Sequence, residues 1–205
     1  MPYPAGHRIR TRGKIIKSAR RLFNRHGFDN VTVQQIMAGA GLTHGGFYSY
    51  FQSKDELYIQ VLGCFLSDSN WGTMWEGVEV DGSAADVAAQ IVRAYLSSQH
   101  FEDIENSCPM VALSTDVTRG CDKAKLAFEN VFAAMVSILE RSATEGNKYR
   151  RERAQAMAAM CVGGMVVARA MANRVAADEL RGACMATALD LGGWVDTSAQ
   201  KNRAH

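Results

Sequence analysis

The chain of 205 residues lacks any run of 18 or more apolar residues, and its first residues lack the apolar stretch of a secretory signal peptide. We therefore expect a cytoplasmic protein with no membrane partner. Proline is scarce, with three residues, while 47% of the residues are hydrophobic and 21% are charged. This composition is typical of a folded globular protein and argues against a disordered one.

Cysteine is also sparse and scattered: the chain has five cysteines and no CxxC pair. An odd, dispersed set fits neither a disulfide framework nor a zinc site, so we expect reduced, mostly buried thiols and no bound metal or cofactor. The sequence likewise has no nucleophile and base at a catalytic spacing and no phosphate-binding glycine loop. These absences favour a binding protein over an enzyme.

Charge is distributed very unevenly along the chain. Residues 1–54 carry nine lysines and arginines against one acidic residue, Asp29, so this segment has a net charge of +8. The rest of the chain therefore carries −6, which gives the overall +2. A compact basic segment on an acidic chain concentrates positive potential where a polyanion can dock, although the charge alone fits a merely solvated basic face equally well.

The basic segment predicts three helices. Apolar residues recur at helical spacing over residues 9–26 with the basic residues off that stripe, and Gly27 follows where a helix can end. Thr32 and Gln35 have the spacing of a capping box, which starts a second helix that stops at Gly41.

A third short helix is expected from His44 to about Tyr50, with Thr43 as its cap. Two short helices joined by a glycine turn, after a supporting helix, are typical of the helix-turn-helix, whose later helix enters the major groove of DNA. Phe47 and Phe51 should face inward. The small and hydrogen-bonding residues of this segment should face the groove, namely Thr43, His44, Gly45, Gly46, Tyr48 and Tyr50.

Residues 32–57, TVQQIMAGAGLTHGGFYSYFQSKDEL, resemble the TetR/AcrR family of bacterial transcriptional regulators. The order of small residue, two variable positions, apolar residue, tyrosine, phenylalanine and the Ser-Lys-acid-x-Leu run matches the family pattern. Gln52 departs from it, because many members have proline there. The resemblance implies contacts to base edges by Thr43, His44, Gly45 and Gly46, contacts to phosphates by Tyr48, Lys54 and Thr32, and either role for Tyr50.

The resemblance also implies the architecture. We expect an all-helical protein with a DNA-binding headpiece at 1–54, a helical effector-binding and dimerisation domain at 55–196 and a tail at 197–205. The last two helices, about 149–175 and 178–194, would pair with a second subunit to form a homodimer. Double-stranded operator DNA and an unknown small-molecule effector are the other expected partners.

The effector pocket is expected among the middle helices of the second domain. Its candidate lining residues are large and apolar, and residues of this kind more often belong to the plain core than to a pocket. The candidates are Trp71, Trp75, Met110, Phe128, Phe132, Met135, Met165 and Trp194.

Cys108 precedes Pro109 in a pattern typical of a helix N-cap and first helical residue, where the helix dipole can lower the pKa of a thiol. Neighbouring acidic residues would oppose that effect. The sequence thus predicts a repressor released from its operator by a small molecule. One alternative is a repressor switched by oxidation or alkylation of Cys108. A second is a small helical enzyme or carrier that docks through its basic N-terminal helix.

Overall fold

The computed structural model describes residues 5–63, 80–142 and 149–194, and every regular element within them is a helix. The predicted all-helical class is confirmed. No helix in these residues is both long and apolar enough to cross a membrane. The helices are α1 (Ala5–His26), α2 (Val33–Gly39), the 3-10 helix η1 (His44–Ser49), α3 (Lys54–Gly63), α4 (Val87–Tyr95), α5 (Ser98–Glu102), α6 (Pro109–Ala112), α7 (Ser114–Arg119), α8 (Asp122–Ser142), α9 (Arg150–Ala170) and α10 (Arg174–Gly192).

By packing, these residues form two compact units. The first contains residues 5–63 and 103–131, and the second contains residues 80–102, 132–142 and 149–194. Residues beyond 54 join the first unit because Leu57, Leu113 and Val117 are buried in the same apolar core as the three N-terminal helices. The expected division into a DNA-binding headpiece at 1–54 and an effector-binding domain at 55–196 assigns functions to the two parts, and it stays a prediction. The expected tail at 197–205 lies outside the described residues.

The start of the first unit follows the sequence pattern closely. Helix α1 buries Ile15, Ala19 and Phe23 completely, begins four residues earlier than expected, and ends at His26 before Gly27. Gly27 has a φ of 76°, a left-handed conformation that favours glycine and turns the chain away from the helix axis.

Helix α2 is set by its two ends. The Thr32 Oγ1 accepts a hydrogen bond from the Gln35 amide at 3.2 Å, and the Gln35 side chain accepts one from the Thr32 amide at 2.8 Å, so the predicted capping box is present. Gly41 has a φ of 72° and reverses the chain after two turns of helix. This bend brings the next segment back across the core of the unit.

The second unit is centred on the adjacent helices α9 and α10. A Cβ atom added at Gly164 of α9 would lie 2.8 Å from the Sγ of Cys184 of α10, so the two helices approach each other at a point that only glycine permits. Burial raises the pKa of the neighbouring Cys161 thiol to about 12, with the nearby Cys184 as a smaller cause, which keeps it protonated.

Arginines of α9 and α10 hold the segment around α5 within the same unit. The Arg181 guanidinium is almost fully buried, donates to the Leu96 carbonyl at 2.6 Å and to Asp178, and lies 4.8 Å from the ring centroid of Phe101. Arg169 donates to the main-chain carbonyl oxygens of Phe101 and His100. These bonds satisfy carbonyl groups that the short α4 and α5 helices leave at their C-terminal ends.

Candidate nucleic-acid interface

The short helix η1 has one face fixed in the core and one face open. Phe47 and Phe51 are 0% and 2% exposed, with ring centroids 5.7 Å apart, which confirms their predicted inward orientation. The segment is a 3-10 helix and not the expected α-helix. Gly45 and Gly46 disfavour an α-helix, and a run of only six residues suits 3-10 geometry.

The opposite face of η1 presents small and hydrogen-bonding groups. Thr43, His44 and Gly45 are exposed, and Tyr48 has 67% of its surface exposed. Tyr50 is half-buried against the core, so less of its side chain is exposed on the open face than that of Tyr48. Thr43 occupies the N-cap position, but its side chain makes no capping hydrogen bond, so the predicted cap by Thr43 is wrong. The chain bends there through the backbone conformation alone.

The fold itself does not require glycine at position 45 or 46. Neither residue has a positive φ, and a Cβ atom on Gly45 would meet nothing within 4 Å. On Gly46 the same atom would lie 3.6 Å from the Met37 methyl group, which is ordinary van der Waals contact. The two glycines lower helix propensity without a compensating contact inside the chain. Among the described residues, no contact requires the small size of either glycine.

Two further candidate residues lie at helix starts. Thr32 is exposed at the start of α2, with its hydroxyl engaged in the capping box. Lys54 opens α3, and its Nζ lies 4.2 Å from the ring centroid of Phe28. Partial burial lowers the pKa of Lys54, and the carboxylates of Asp29 and Asp55 oppose that shift. Lys54 thus rests on an aromatic ring between two acidic side chains.

The sequence analysis missed two arginines that join α1 to this surface. Arg8 donates from its guanidinium to the Ser49 carbonyl at the end of η1, at 3.0 Å, and Arg12 lies 4.7 Å above the ring of Phe51. Both precede Ile15 at helical spacing, so the same periodicity that found the core of α1 could have placed them. They add positive charge next to the open face of η1.

Part of the basic charge of α1 is paired within the first unit. Glu105 accepts from Arg25 at 2.6 Å and from Arg21 at 3.0 Å. The hydrogen bond from Arg25 and the charge of Arg21 hold the pKa of Glu105 below its usual range, so this carboxylate stays ionised. The C-terminal end of α1 is therefore tied to the segment that precedes α6.

The same segment corrects the expectation for Cys108. Cys108 is the N-cap residue before Pro109, as predicted, but its side chain is 0% exposed and not on an exposed loop. The cause is Asn24 of α1, whose side-chain amide donates to the carbonyls of Glu105 and Ser107 at 3.1 and 2.9 Å and draws the segment onto the helix. Burial keeps oxidants and electrophiles away from the Cys108 thiol.

The candidate pocket residues are divided between the two units. Met110 and Phe128 lie in the first unit, and Phe132, Met135 and Met165 lie in the second. The three methionines are at most 4% exposed and belong to the apolar interior of their units. Trp71 and Trp75 lie outside the described residues, and Trp194 donates its indole N–H to the Ser142 carbonyl at 3.1 Å.

The sequence that forms this surface is similar to that of known bacterial regulators. Residues 15–61 match the family model described as bacterial regulatory proteins of the tetR family. The HTH-type transcriptional repressor KstR2 of Mycobacterium tuberculosis is 36% identical over 62 residues, which cover 30% of this chain and 31% of that protein. The alignments span about a third of the length of the first curated relatives, so the sequence likeness is one of the N-terminal region.

The fold likeness extends further. A TetR-family regulator from Cytophaga hutchinsonii superimposes with a TM-score of 0.69 at 18% identity, covering 91% of this chain and 95% of that one. The reduced form of NemR from Escherichia coli gives a TM-score of 0.68 at 17% identity, covering 88% and 96%. At these identities the likeness concerns the fold. Because the superpositions cover about nine tenths of this chain, the helices after the N-terminal region share that fold as well.

Proposed function

We propose that this chain, whose residues 15–61 match the tetR-family model and whose fold is that of TetR-family regulators, is a transcriptional repressor that binds operator DNA as a dimer and leaves it when a small molecule binds. The observation that carries the proposal is the open face of η1. Small and hydrogen-bonding residues stand there above a fixed aromatic core, which is what a helix presented to the major groove needs.

In this proposal Thr43, His44, Gly45 and Gly46 approach base edges. The two glycines support this role, because nothing inside the chain requires their lack of a side chain. A backbone without Cβ atoms can lie closer to the floor of a groove than any other. The exposed neighbours of the glycines then supply the hydrogen bonds that read sequence.

Phosphate contacts fall to Tyr48, Lys54 and the start of α2 at Thr32. Backbone contacts position the protein on the duplex, and helix starts suit phosphates because their amide groups and dipole attract anions. The tyrosine hydroxyl is exposed on the same face. Lys54 would exchange its place over the Phe28 ring for a phosphate oxygen. Tyr50, half-buried, would contribute through its exposed edge.

Replacing Gly45 with alanine should stabilise the protein and weaken its binding to DNA. Gly45→Ala should raise the free energy of unfolding by up to about 1 kcal/mol, since alanine restricts the unfolded chain and the site has room for a methyl group. The same methyl group should weaken DNA binding by about tenfold or more, a loss of about 1.4 kcal/mol. Fluorescence anisotropy with a duplex selected from a random pool measures binding, and urea unfolding measures stability.

Gly63 provides the matched control, because it is also exposed and a Cβ atom there would meet nothing within 4 Å. Gly63→Ala should leave DNA affinity unchanged. Unchanged affinity in Gly45→Ala would remove η1 from the DNA interface and would contradict the proposal.

The partner surface that we propose for the dimer is the outer face of α9 and α10. Val167 of α9, Met171 directly after α9 and Val175 of α10 are 49%, 39% and 66% exposed, and grouped exposed apolar side chains mark a candidate interaction surface. Gly163 and Gly182 on the same two helices have open space where a side chain would stand. A self-complementary apolar face lined with small residues suits a two-fold contact with a second copy.

Introducing a charge on this face should separate the subunits. The double variant Val167→Glu/Val175→Glu should sediment as a monomer with unchanged helical content, because each carboxylate would be buried without a partner in the dimer. DNA affinity should fall about 100-fold, since two headpieces would no longer bind together. Analytical ultracentrifugation with circular dichroism checks the first result, and anisotropy checks the second.

Leu126→Glu is the control for added charge, because Leu126 is 56% exposed on α8 and lies outside that face. It should leave the dimer intact. A double variant that remains dimeric at micromolar concentration would show that another surface joins the subunits.

We propose that the small-molecule effector binds in the second unit. An effector that binds better to a form with mis-spaced headpieces would lower the population that can bind DNA. The described candidates within that unit are Phe132, Met135, Met165 and Trp194. We do not carry forward a switch at Cys108, because its buried thiol lacks the exposure that such a switch needs. No contact in the described residues favours a helical enzyme or carrier.

A further inference from the structure

An open groove of about 660 Å³ runs between α1 and α2 within the first unit. Ser18 of α1 and Gly39 of α2 border it where the two helices come closest, and the Ser18 hydroxyl donates to the Ile36 carbonyl at 2.8 Å. A Cβ atom on Gly39 would lie 2.5 Å from the Ser18 Oγ, so a side chain at this point would displace the serine. The close approach of the helices thus fixes the bottom of the groove.

The wall of the groove on α1 is a stripe of positive charge. Its four basic residues are exposed and follow one another three or four positions apart, so they share one face of the helix: Lys14, Lys17, Arg21 and Arg25. Like charges at this spacing destabilise a helix, and α1 contains no acidic residue that would offset them. The helix itself therefore gains no stability from the stripe.

One carboxylate faces this stripe. Glu105 is the acidic residue that lines the groove, and it pairs with Arg25 at 2.6 Å and with Arg21 at 3.0 Å. Lys14 and Lys17 make no ion pair with the described part of the chain. The groove thus keeps a positive charge that the protein does not neutralise, and it attracts an anion.

The groove lies on the side of α2 that faces away from η1. Met37 of α2 is directed to η1, since a Cβ atom on Gly46 would lie 3.6 Å from the Met37 methyl group. Gln35 and Gly39 line the groove, and each is two residues from Met37, which is about 200° around the helix. In a helix-turn-helix the first helix crosses the DNA backbone while the second lies in the major groove. The far side of α2 would therefore face backbone beyond the bases that η1 reads.

Gln35 joins the groove to the phosphate contact proposed at the start of α2. Its side-chain oxygen accepts the Thr32 amide N–H at 2.8 Å, which leaves its NH2 group to donate elsewhere. A DNA strand with a phosphate at Thr32 would continue along the groove. The stripe from Lys14 to Arg25 is about 16 Å long at a rise of about 1.5 Å per residue, and one strand carries a phosphate about every 3.4 Å of helix axis. Several phosphates can therefore face it.

We propose that this groove holds the phosphate backbone of the duplex outside the half-site that η1 reads. The inference rests on the proposed function and adds Lys14 and Lys17 to its phosphate contacts. Arg21 and Arg25 would be shared between DNA and Glu105. Such contacts strengthen binding without reading bases, and exposed lysines suffice for them because each one releases counter-ions from the DNA. A small anion would use the same groups but would not make DNA affinity depend on duplex length.

Duplex length separates the groove from the rest of the interface. Anisotropy compares the operator selected from a random pool, ending at the outer edges of its half-sites, with the same operator extended by about one helical turn on each side. The wild type should bind the extended duplex at least about tenfold more tightly at low salt. Lys14→Gln/Lys17→Gln should lose this gain but bind the short duplex within about twofold of the wild type.

The salt dependence gives a second measure of the same contacts. On the extended duplex, the double lysine variant should lower the slope of log K against log salt by about two for each subunit, since each lost phosphate contact contributes about 0.9. Helical content should stay unchanged, because both lysines are exposed and their like charges do not stabilise α1.

Glu105→Gln gives a readout of opposite sign, because it frees Arg21 and Arg25. It should bind the extended duplex several times more tightly than the wild type does and the short duplex equally well. Lys123→Gln/Lys125→Gln is the matched control, since it removes the same charge from exposed positions of α8 outside the groove. This control should keep the wild-type preference for the extended duplex.

The outcomes distinguish the groove from the proposed function. If the wild type binds the operator but shows no preference for the extended duplex, the inference is wrong and the proposed function stands. Equal losses on both duplexes in the double lysine variant, or no gain in Glu105→Gln, would overturn the inference in the same way. Failure of the wild type to bind either duplex would overturn both.

Discussion

Replacing Phe47 with alanine should lower the free energy of unfolding of the first unit by about 3–5 kcal/mol and abolish DNA binding at accessible concentrations. Phe47 is completely buried and contacts the rings of Phe51 and Tyr48, with centroids 5.7 and 5.3 Å away. Its loss leaves a cavity beneath η1, which is held to the core largely by this ring and Phe51. Urea unfolding followed by circular dichroism measures the loss of stability.

The adjacent residue provides the matched control. Tyr48 is 67% exposed, so Tyr48→Ala should change the free energy of unfolding by no more than about 0.5 kcal/mol. It should still weaken DNA binding, through loss of a phosphate contact. Similar destabilisation in both variants would contradict the inward and outward faces assigned to η1.

The second large effect is a loss of stability in acid caused by His100. The ring is 0% exposed and its Nδ1 lies 2.6 Å from the Tyr95 carbonyl, which can only accept, so Nδ1 carries the proton. Burial, with the charges of Arg169 and Arg181 as smaller causes, lowers the pKa of His100 from 6.5 to about 3, although the bond to Tyr95 opposes the shift.

The direction of the effect follows from proton binding. Between pH 6.5 and about 3 the unfolded chain binds a proton that the folded chain rejects, so stability falls as pH falls. The slope is about 1.4 kcal/mol per pH unit, which amounts to about 3 kcal/mol between pH 7 and pH 4. His100→Asn can keep a donor near the Tyr95 carbonyl and does not titrate. Its stability should therefore fall less than that of the wild type over this range.

Urea unfolding at pH 7, 6, 5 and 4 for both proteins gives the difference directly. Carboxylates such as Glu105 and Asp178 titrate in both, so their contribution cancels in the comparison. Parallel pH profiles for wild type and His100→Asn would mean that another group controls the acid response.

Local features of the headpiece could be predicted because they depend on a few neighbouring residues. The capping box joins Thr32 to Gln35, three residues away, and the positive φ at Gly27 and Gly41 follows from the conformational freedom of glycine. The inward direction of Phe47 and Phe51 follows from helical spacing. Each of these features is encoded within one or two turns of chain.

Features that depend on distant contacts could not be read in the same way. Cys108 lies in a polar stretch of sequence, and the segment that contains it is held against α1 by hydrogen bonds from Asn24, more than 80 residues away, and from Arg21 and Arg25. A small pocket of the first unit likewise brings together Phe28, Asp55 and Gly120, which are far apart in the sequence. Neither helical periodicity nor capping patterns contain information about such pairings.

Helix η1 combines features that could be predicted from the sequence with one that could not. Its position and faces were predictable, whereas its 3-10 geometry depends on how two glycines and a six-residue length compete with the packing of Phe47 against the core. The glycines are the informative residues here. They weaken the helix, and the structure adds that no described contact requires them, which the sequence could not show.

Selection of duplex DNA from a random pool by the purified full-length protein tests the central claim most directly. A two-fold dimer with one η1 helix per subunit should enrich an inverted repeat whose half-sites are about one helical turn apart, roughly 34–36 Å, or a relative of that spacing. The same selection with Gly45→Ala should enrich that site poorly. A wild-type pool with no enriched sequence, or with an enriched site lacking inverted symmetry, would contradict the account.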